Sequence, residues 1–251
     1  MGIEVFKKHL REKRAIKVSY RAKSINTKNI ARFAYIAQIS KASAVDLPCG
    51  KQFFEAAKKY TKLPIFTSSI HPFEILEAVK YGVDGVEIGN FDSYYLKGQA
   101  YNASQIYDIV LETFSLINDY DVFVSVTIPG YILIEDQIKL AKKLQLLGVD
   151  MIHIEGLSAS NRKYFKDDRS TFANMSSIVE NISIPIMATI VSSDIIKNAF
   201  VSGINAVEYA CVDMNNEAIF GANVMEMVNS VFHRNSINNE ILRTSRELVY
   251  S

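Results

Sequence analysis

A single phrase recurs along the chain and restricts the fold more than any other feature. A helix ends on glycine, a short apolar strand follows at once, and the strand closes on a polar residue. The phrase reads Gly82-Val83-Asp84-Gly85-Val86-Glu87-Ile88-Gly89, then Gly148-Val149-Asp150-Met151-Ile152-His153-Ile154-Glu155, then Gly203-Ile204-Asn205-Ala206-Val207-Glu208-Tyr209. Glycine suits the left-handed turn at a helix end. Strands joined through helices in this way run parallel. With 251 residues, the chain has the length of about one eight-fold unit. The expected fold is therefore α/β, a single (β/α)8 TIM-type barrel across residues 1–251.

The expected strands are Ala15–Ser19, Ala44–Leu47, Ile65–Ser68, Gly85–Ile88, Val122–Thr127, Met151–Glu155, Pro185–Thr189 and Ala206–Ala210. Apolar residues at helical spacing fill the intervals. A short N-terminal helix, Gly2–Arg14, carries Val5, Phe6 and Leu10 on one side and suits the bottom of a barrel. A C-terminal tail, Asn235–Ser251, is expected as a last helix on the outside. Asn90–Asn102 reads as a long loop. Asn161–Arg169 reads as a charged insertion, either a lid or a solvated loop. Leu63-Pro64-Ile65 and Gly82 return at one common spacing as Ile184-Pro185-Ile186 and Gly203, which suggests half-barrels at 15–120 and 121–232.

Composition excludes several function classes. A net charge of +1 gives no general attraction to nucleic acid or to a membrane surface. No apolar run reaches the ~18 residues of a membrane span. Cys49 and Cys211 form no pair with redox or metal spacing and read as free thiols. The N-terminus has neither a signal-peptide core nor transit-peptide character, so an organelle holding the protein is expected also to encode it.

Strands of a parallel barrel are buried on both faces and should be apolar throughout. Here one step of each is polar: Lys17, Asp46, Glu87, Ser125, His153 and Glu208. Strand alternation aims these residues into the lumen. Buried charges must be paired, wet or functional. Lys17 with Glu87 or Asp46 makes an acid–base pair, and a perturbed lysine also serves Schiff-base chemistry; a purely structural ion-pair layer is the alternative. Catalytic groups in this fold lie at the C-terminal strand ends, which nominates Ser19, Thr67, Ser68, Asn90, Asp92, Thr127, Glu155 and Thr189. The catalytic candidates are Lys17, Glu87 and Asp92. The substrate-binding candidates are Asp46, Asn90, Thr127, His153, Glu155 and Glu208. His9, His71, His153 and His233 show no metal spacing, so no metal is expected, and no cofactor is identified. The loops after strands 7 and 8 lack the glycines of a phosphate site, and Asp194 and Asp213 would repel an anion. The expected partner is thus a small-molecule ligand, with a phosphorylated one disfavoured.

At Ile88-Gly89-Asn90-Phe91-Asp92-Ser93-Tyr94-Tyr95 and Ser125-Val126-Thr127-Ile128-Pro129 the chain resembles the hypothetical chloroplast reading frame twenty-three (Ycf) family of algal plastids and cyanobacteria. Glu155-Gly156, and Asp46 after Val45, fit as well, and the resemblance runs from Ala15 to about Phe232. It implies a TIM-like barrel, plastid encoding, a place in the plastid stroma, and no established activity. The chain departs from the family after strands 7 and 8, where relatives tend to carry Ser-Gly and Gly-Ser segments. Two functions follow as expectations. One is a lyase, isomerase or aldolase-like enzyme using acid–base groups at the strand ends. The other is a ligand-sensing or interaction barrel without turnover.

Overall fold

The computed structural model describes residues 2–95, 97–155, 175–190 and 195–231, without the side chains of Asp92 and Lys197. The expected lid segment, the tail helix, Gly156 and Asp194 lie outside the described residues.

Eight parallel strands close into one barrel in chain order. They are β1 (Ala15–Tyr20), β2 (Ala44–Pro48), β3 (Ile65–Ser69), β4 (Gly85–Ile88), β5 (Phe123–Ile128), β6 (Met151–Ile154), β7 (Ile186–Ile190) and β8 (Ala206–Cys211). The closing seam pairs β1 with β8 along its whole length, Ala15 against Ala206 through Tyr20 against Cys211. The helices are α1 (Gly2–Arg11), α2 (Thr27–Ile39), α3 (Lys51–Lys58), α4 (Pro72–Lys80), α5 (Phe91–Tyr95), α6 (Ala103–Ile117), α7 (Ile134–Leu147) and α8 (Ile196–Val201). Residues 175–179 and 217–231 are also helical.

Local chemistry explains the boundaries. Pro72 opens α4 at a first-turn position, where its missing N–H costs nothing. Asn102 and Gln105 form a reciprocal capping box at the start of α6. Gly148 ends α7 at φ 97°, in the left-handed region. The expected Asn90–Asn102 loop is partly wrong, because α5 occupies its first half. A five-residue helix is too short to show an apolar period.

The lumen is built in levels. Its lowest is apolar: Ala15, Ala44, Phe66, Phe123, Met151, Met187 and Ala206 close around Phe6 and Leu10 of α1. Phe6, Phe66 and Phe123 meet edge to face, with centroids 5.2–5.7 Å apart. The N-terminal helix therefore plugs the barrel as expected, although Val5 points away and is about half exposed. Two residues further along each strand the lumen turns polar. The remaining core lies outside the sheet, where outward strand residues such as Val18, Val45, Val86 and Ile152 meet the helices.

Candidate functional site: a buried charged ring in the barrel lumen

The polar level consists of Lys17, Asp46, Ser68, Glu87, Ser125, His153, Thr189 and Glu208, one residue from each strand. The shared register places them together: Lys17 beside Glu208, Ser68 beside Glu87, and Glu87 beside Ser125. All are buried apart from Thr189, which is partly so.

Lys17 is the hub, with a side chain at 0% exposure. Its Nζ lies 2.5 Å from Glu87 Oε2, 3.1 Å from Asp46 Oδ2 and 3.1 Å from Glu208 Oε1. Its bond to Glu208 is an ion pair without hydrogen-bond alignment, because Glu208 Oε1 has no hydrogen-bond partner. Asp46 Oδ2 also accepts from Ser68 Oγ at 2.5 Å. On its other side, Glu87 Oε1 accepts from Thr127 Oγ1 at 3.1 Å and lies 3.0 Å from His153 Nδ1. His153 Nε2 lies 2.8 Å from Thr189 Oγ1 and 3.7 Å from Glu208 Oε2.

The electrostatics of the ring are mutual. Burial works against charge on Lys17, but Asp46, Glu208 and Glu87 outweigh it and hold the ammonium above its ordinary pKa. Burial likewise opposes charge on Glu87, and Lys17 and His153 overcome it, leaving this carboxyl well below the usual range. Glu208 is lowered for the same reasons, with Glu87 pulling the other way. His153 is raised: burial disfavours its charge, and the carboxylates of Glu87 and Glu208 more than compensate. With His153 protonated, its charge and those of Lys17 and Arg21 balance Asp46, Glu87 and Glu208.

Of the sequence-derived candidates, Lys17, Asp46, Glu87, Thr127, His153 and Glu208 converge on this ring. Glu155 is half-buried at the end of β6, close enough to add to the charge effects on His153 and Arg21. Asn90 sits directly after β4 at φ 77°, and its carbonyl accepts from both the N–H and Oγ of Ser93. That is turn chemistry, and it starts α5. The Asp92 side chain lies outside the described residues. Thr67 is a correction: its hydroxyl donates to the Leu47 carbonyl and approaches Cys49, so it faces the helix layer. The three carboxylates around Lys17 hold its ammonium charged, whereas Schiff-base chemistry calls for the neutral amine.

Two contributors escaped the sequence reading. Arg21 follows β1 with the inward parity of Lys17 and Ser19. Its guanidinium is 24% exposed at the mouth, 3.6 Å from Asp46 and 4.0 Å from Glu208. Gly89 is the other, since a Cβ there would run into the Thr127 side chain and crowd Glu87. Parity along the strand was the available signal in both cases.

Beyond β8, the Asp213 carboxylate accepts from the Asn215 N–H and the Asn216 side-chain amide, each at 2.9 Å. It thereby caps the short turn Met214–Asn216. Cys49 and Cys211 are free, with burial pushing each thiol up to about 11. No described helix is long and apolar enough to cross a membrane.

Fold and site define a TIM-type barrel protein with a buried ring of charged side chains in its lumen. The chain belongs to the family described as "Protein of unknown function (DUF561)", which matches residues 3–237. It is similar to "Uncharacterized protein ycf23" of Cyanophora paradoxa, at 34% identity over 184 residues, 71% of this chain and 75% of that one. The protein of the same description from Porphyra purpurea is 31% identical over 180 residues, covering 69% and 67%. That from Antithamnion sp. is 29% identical over 243 residues, covering 94% and 87%. The expected Ycf resemblance is thereby borne out. Among solved structures, (S)-3-O-geranylgeranylglyceryl phosphate synthase from Thermoplasma acidophilum, in complex with sn-glycerol-1-phosphate, superposes with a TM-score of 0.65. It is 11% identical, over 92% of this chain and 98% of that one. Thiamine phosphate pyrophosphorylase from Pyrococcus furiosus gives 0.55 at 15% identity, over 88% and 98%. At these identities the likeness is one of fold.

Proposed function

We propose that this protein is a small-molecule enzyme of the lyase, isomerase or aldolase-like type, working in a plastid stroma by proton transfer at the lumen ring. One observation carries the reading. Where barrels of this fold usually stack bulky apolar side chains, this one buries three carboxylates, an ammonium and an imidazole, with the half-buried Arg21 guanidinium beside them. Desolvating such groups costs several kcal/mol each before pairing, and packed hydrophobic residues would fill the same space without that cost. Glu87 and His153, 3.0 Å apart, are the proton-carrying pair. Lys17 is a permanent cation that fixes Glu87, Asp46 and Glu208, and so acts by positioning. Arg21 and Glu155 meet the ligand at the mouth. The ligand is small and polar, and the negative charge of Asp213 disfavours a phosphate group at the turn after β8.

The test is a thermal-shift screen of stromal metabolites, followed by turnover assays on those that bind. Glu87→Gln should abolish turnover and weaken binding while the barrel still folds. Unchanged affinity and turnover in that variant would remove the assignment. A ligand-sensing barrel without turnover is the second reading. The pairing of Lys17 with three carboxylates favours it, because that suits a fixed scaffold. Under it, a binder is retained and never consumed.

A further inference from the structure

Glu87, His153 and Glu208 come from alternate strands, β4, β6 and β8, and meet in the lumen. Each offers one ligand atom, and these atoms all lie within 4.8 Å of one another. The two glutamates are oriented alike. Each directs one oxygen to Lys17: Glu87 Oε2 at 2.5 Å and Glu208 Oε1 at 3.1 Å. Each turns the other to the imidazole: Glu87 Oε1 lies 3.0 Å from Nδ1, and Glu208 Oε2 lies 3.7 Å from Nε2. The oxygens facing the imidazole are therefore those that the ammonium leaves unengaged.

An independent observation points into the same space. Ser125, beside Glu87 in the register, is fully buried with the inward parity of Phe123 and Thr127, and its Oγ has no hydrogen-bond partner. Asp46 Oδ1 is buried without a partner as well. A buried hydroxyl left unpaired is costly, so an occupant that engages it restores what the protein alone leaves unmet.

We propose that Glu87, His153 and Glu208 bind a divalent cation in the lumen, with Ser125 facing it and Lys17 as an outer positioning residue. Two carboxylate oxygens and one imidazole nitrogen form a donor set of the kind that takes Mn²⁺ or Zn²⁺. The cation would displace the proton shared by Glu87 and His153, and it would polarise a ligand oxygen as a Lewis acid. Sequence spacing conceals such a site, because its ligands lie on three separate strands. The inference rests on the lumen being a ligand site and needs no turnover.

The experiment uses the full chain, stripped with chelator and titrated with Mn²⁺ and then Zn²⁺. Calorimetry, the melting temperature and the Mn²⁺ electron paramagnetic resonance signal are the readouts. One ion per chain is expected. His153→Gln and Glu208→Gln should each weaken binding by about tenfold or more, while Asp136→Asn on the exposed face of α7 leaves it unchanged. Circular dichroism checks that the variants fold; if one does not, the other still decides. No saturable binding at millimolar ion, or binding that survives both substitutions, overturns the inference. An ion bound without turnover on any ligand supports the metal site and sinks the enzyme reading. Turnover by metal-free protein that binds no ion does the reverse.

Discussion

The two levels of this lumen lie one strand repeat apart and are held together by opposite means. The lower is a dry aromatic plug, Phe6, Phe66 and Phe123 around the axis. The upper is a ring of charges centred on Lys17. They touch where Lys17 Nζ stands over the Phe66 ring, 5.7 Å from its centroid. The plug is stabilised by area and fit, which tolerate substitutions of similar volume. The ring is stabilised only while each charge keeps its partners, so one deletion strands the rest. Both fill successive layers of one packed interior, the lower with apolar side chains and the upper with charged ones.

The contrast can be broken most severely at the hub. Lys17→Ala leaves Asp46, Glu87 and Glu208 facing one another without their shared cation. Loss of a buried pair costs about 3–5 kcal/mol, and this change should reach the top of that range or exceed it in urea unfolding. A loss below about 1 kcal/mol would show that the ring relaxes freely. Next comes Phe66→Ala, which opens a cavity in the floor and should cost about 3–5 kcal/mol without changing the pH dependence of unfolding. If that dependence moves, the levels are not separable. Gly89→Ala sharpens the comparison from above. Its Cβ meets Thr127 and Glu87, so a cost of about 1–3 kcal/mol from overpacking is expected, together with weaker ligand binding in the same variant.

The smallest effect belongs to the rim of the floor. His9 Nδ1 lies 2.9 Å from Ser43 Oγ, and burial, then the charge of Arg14, lowers its pKa from 6.5 to about 4. A depressed pKa gives stability that is present above the unfolded value and lost as the pH falls toward the folded one. The melting temperature should therefore decline as the pH drops from 6.5 to about 4, and His9→Gln should flatten that decline. Partial exposure keeps the effect modest. An unchanged slope in His9→Gln would assign the acid sensitivity elsewhere.

Much of this was legible because strands alternate. Aligning the glycine phrases put Lys17, Asp46, Glu87, Ser125, His153 and Glu208 on one step, and one step of eight parallel strands becomes one level of a barrel. What alternation cannot give is distance. It named Lys17 with Glu87 or Asp46, whereas the closed geometry brings both together with Glu208. Arg21 was hidden because the expected β1 ended at Ser19, while the strand pairs as far as Tyr20 against Cys211. Thr67 was misplaced because proximity to a strand end was weighed above parity, and parity turns it toward Cys49. α5 left no signal because five residues complete little more than one turn.

The engagement of Lys17 also makes it a silent amine. Acylating and carbonyl reagents need a deprotonated nitrogen with room for the reagent to approach, and this nitrogen has neither. Peptide mapping after mild acetylation should find the lysines of the outer helices labelled and Lys17 bare. It should become reactive only when the polypeptide is denatured, which makes that one peptide an internal gauge of barrel integrity.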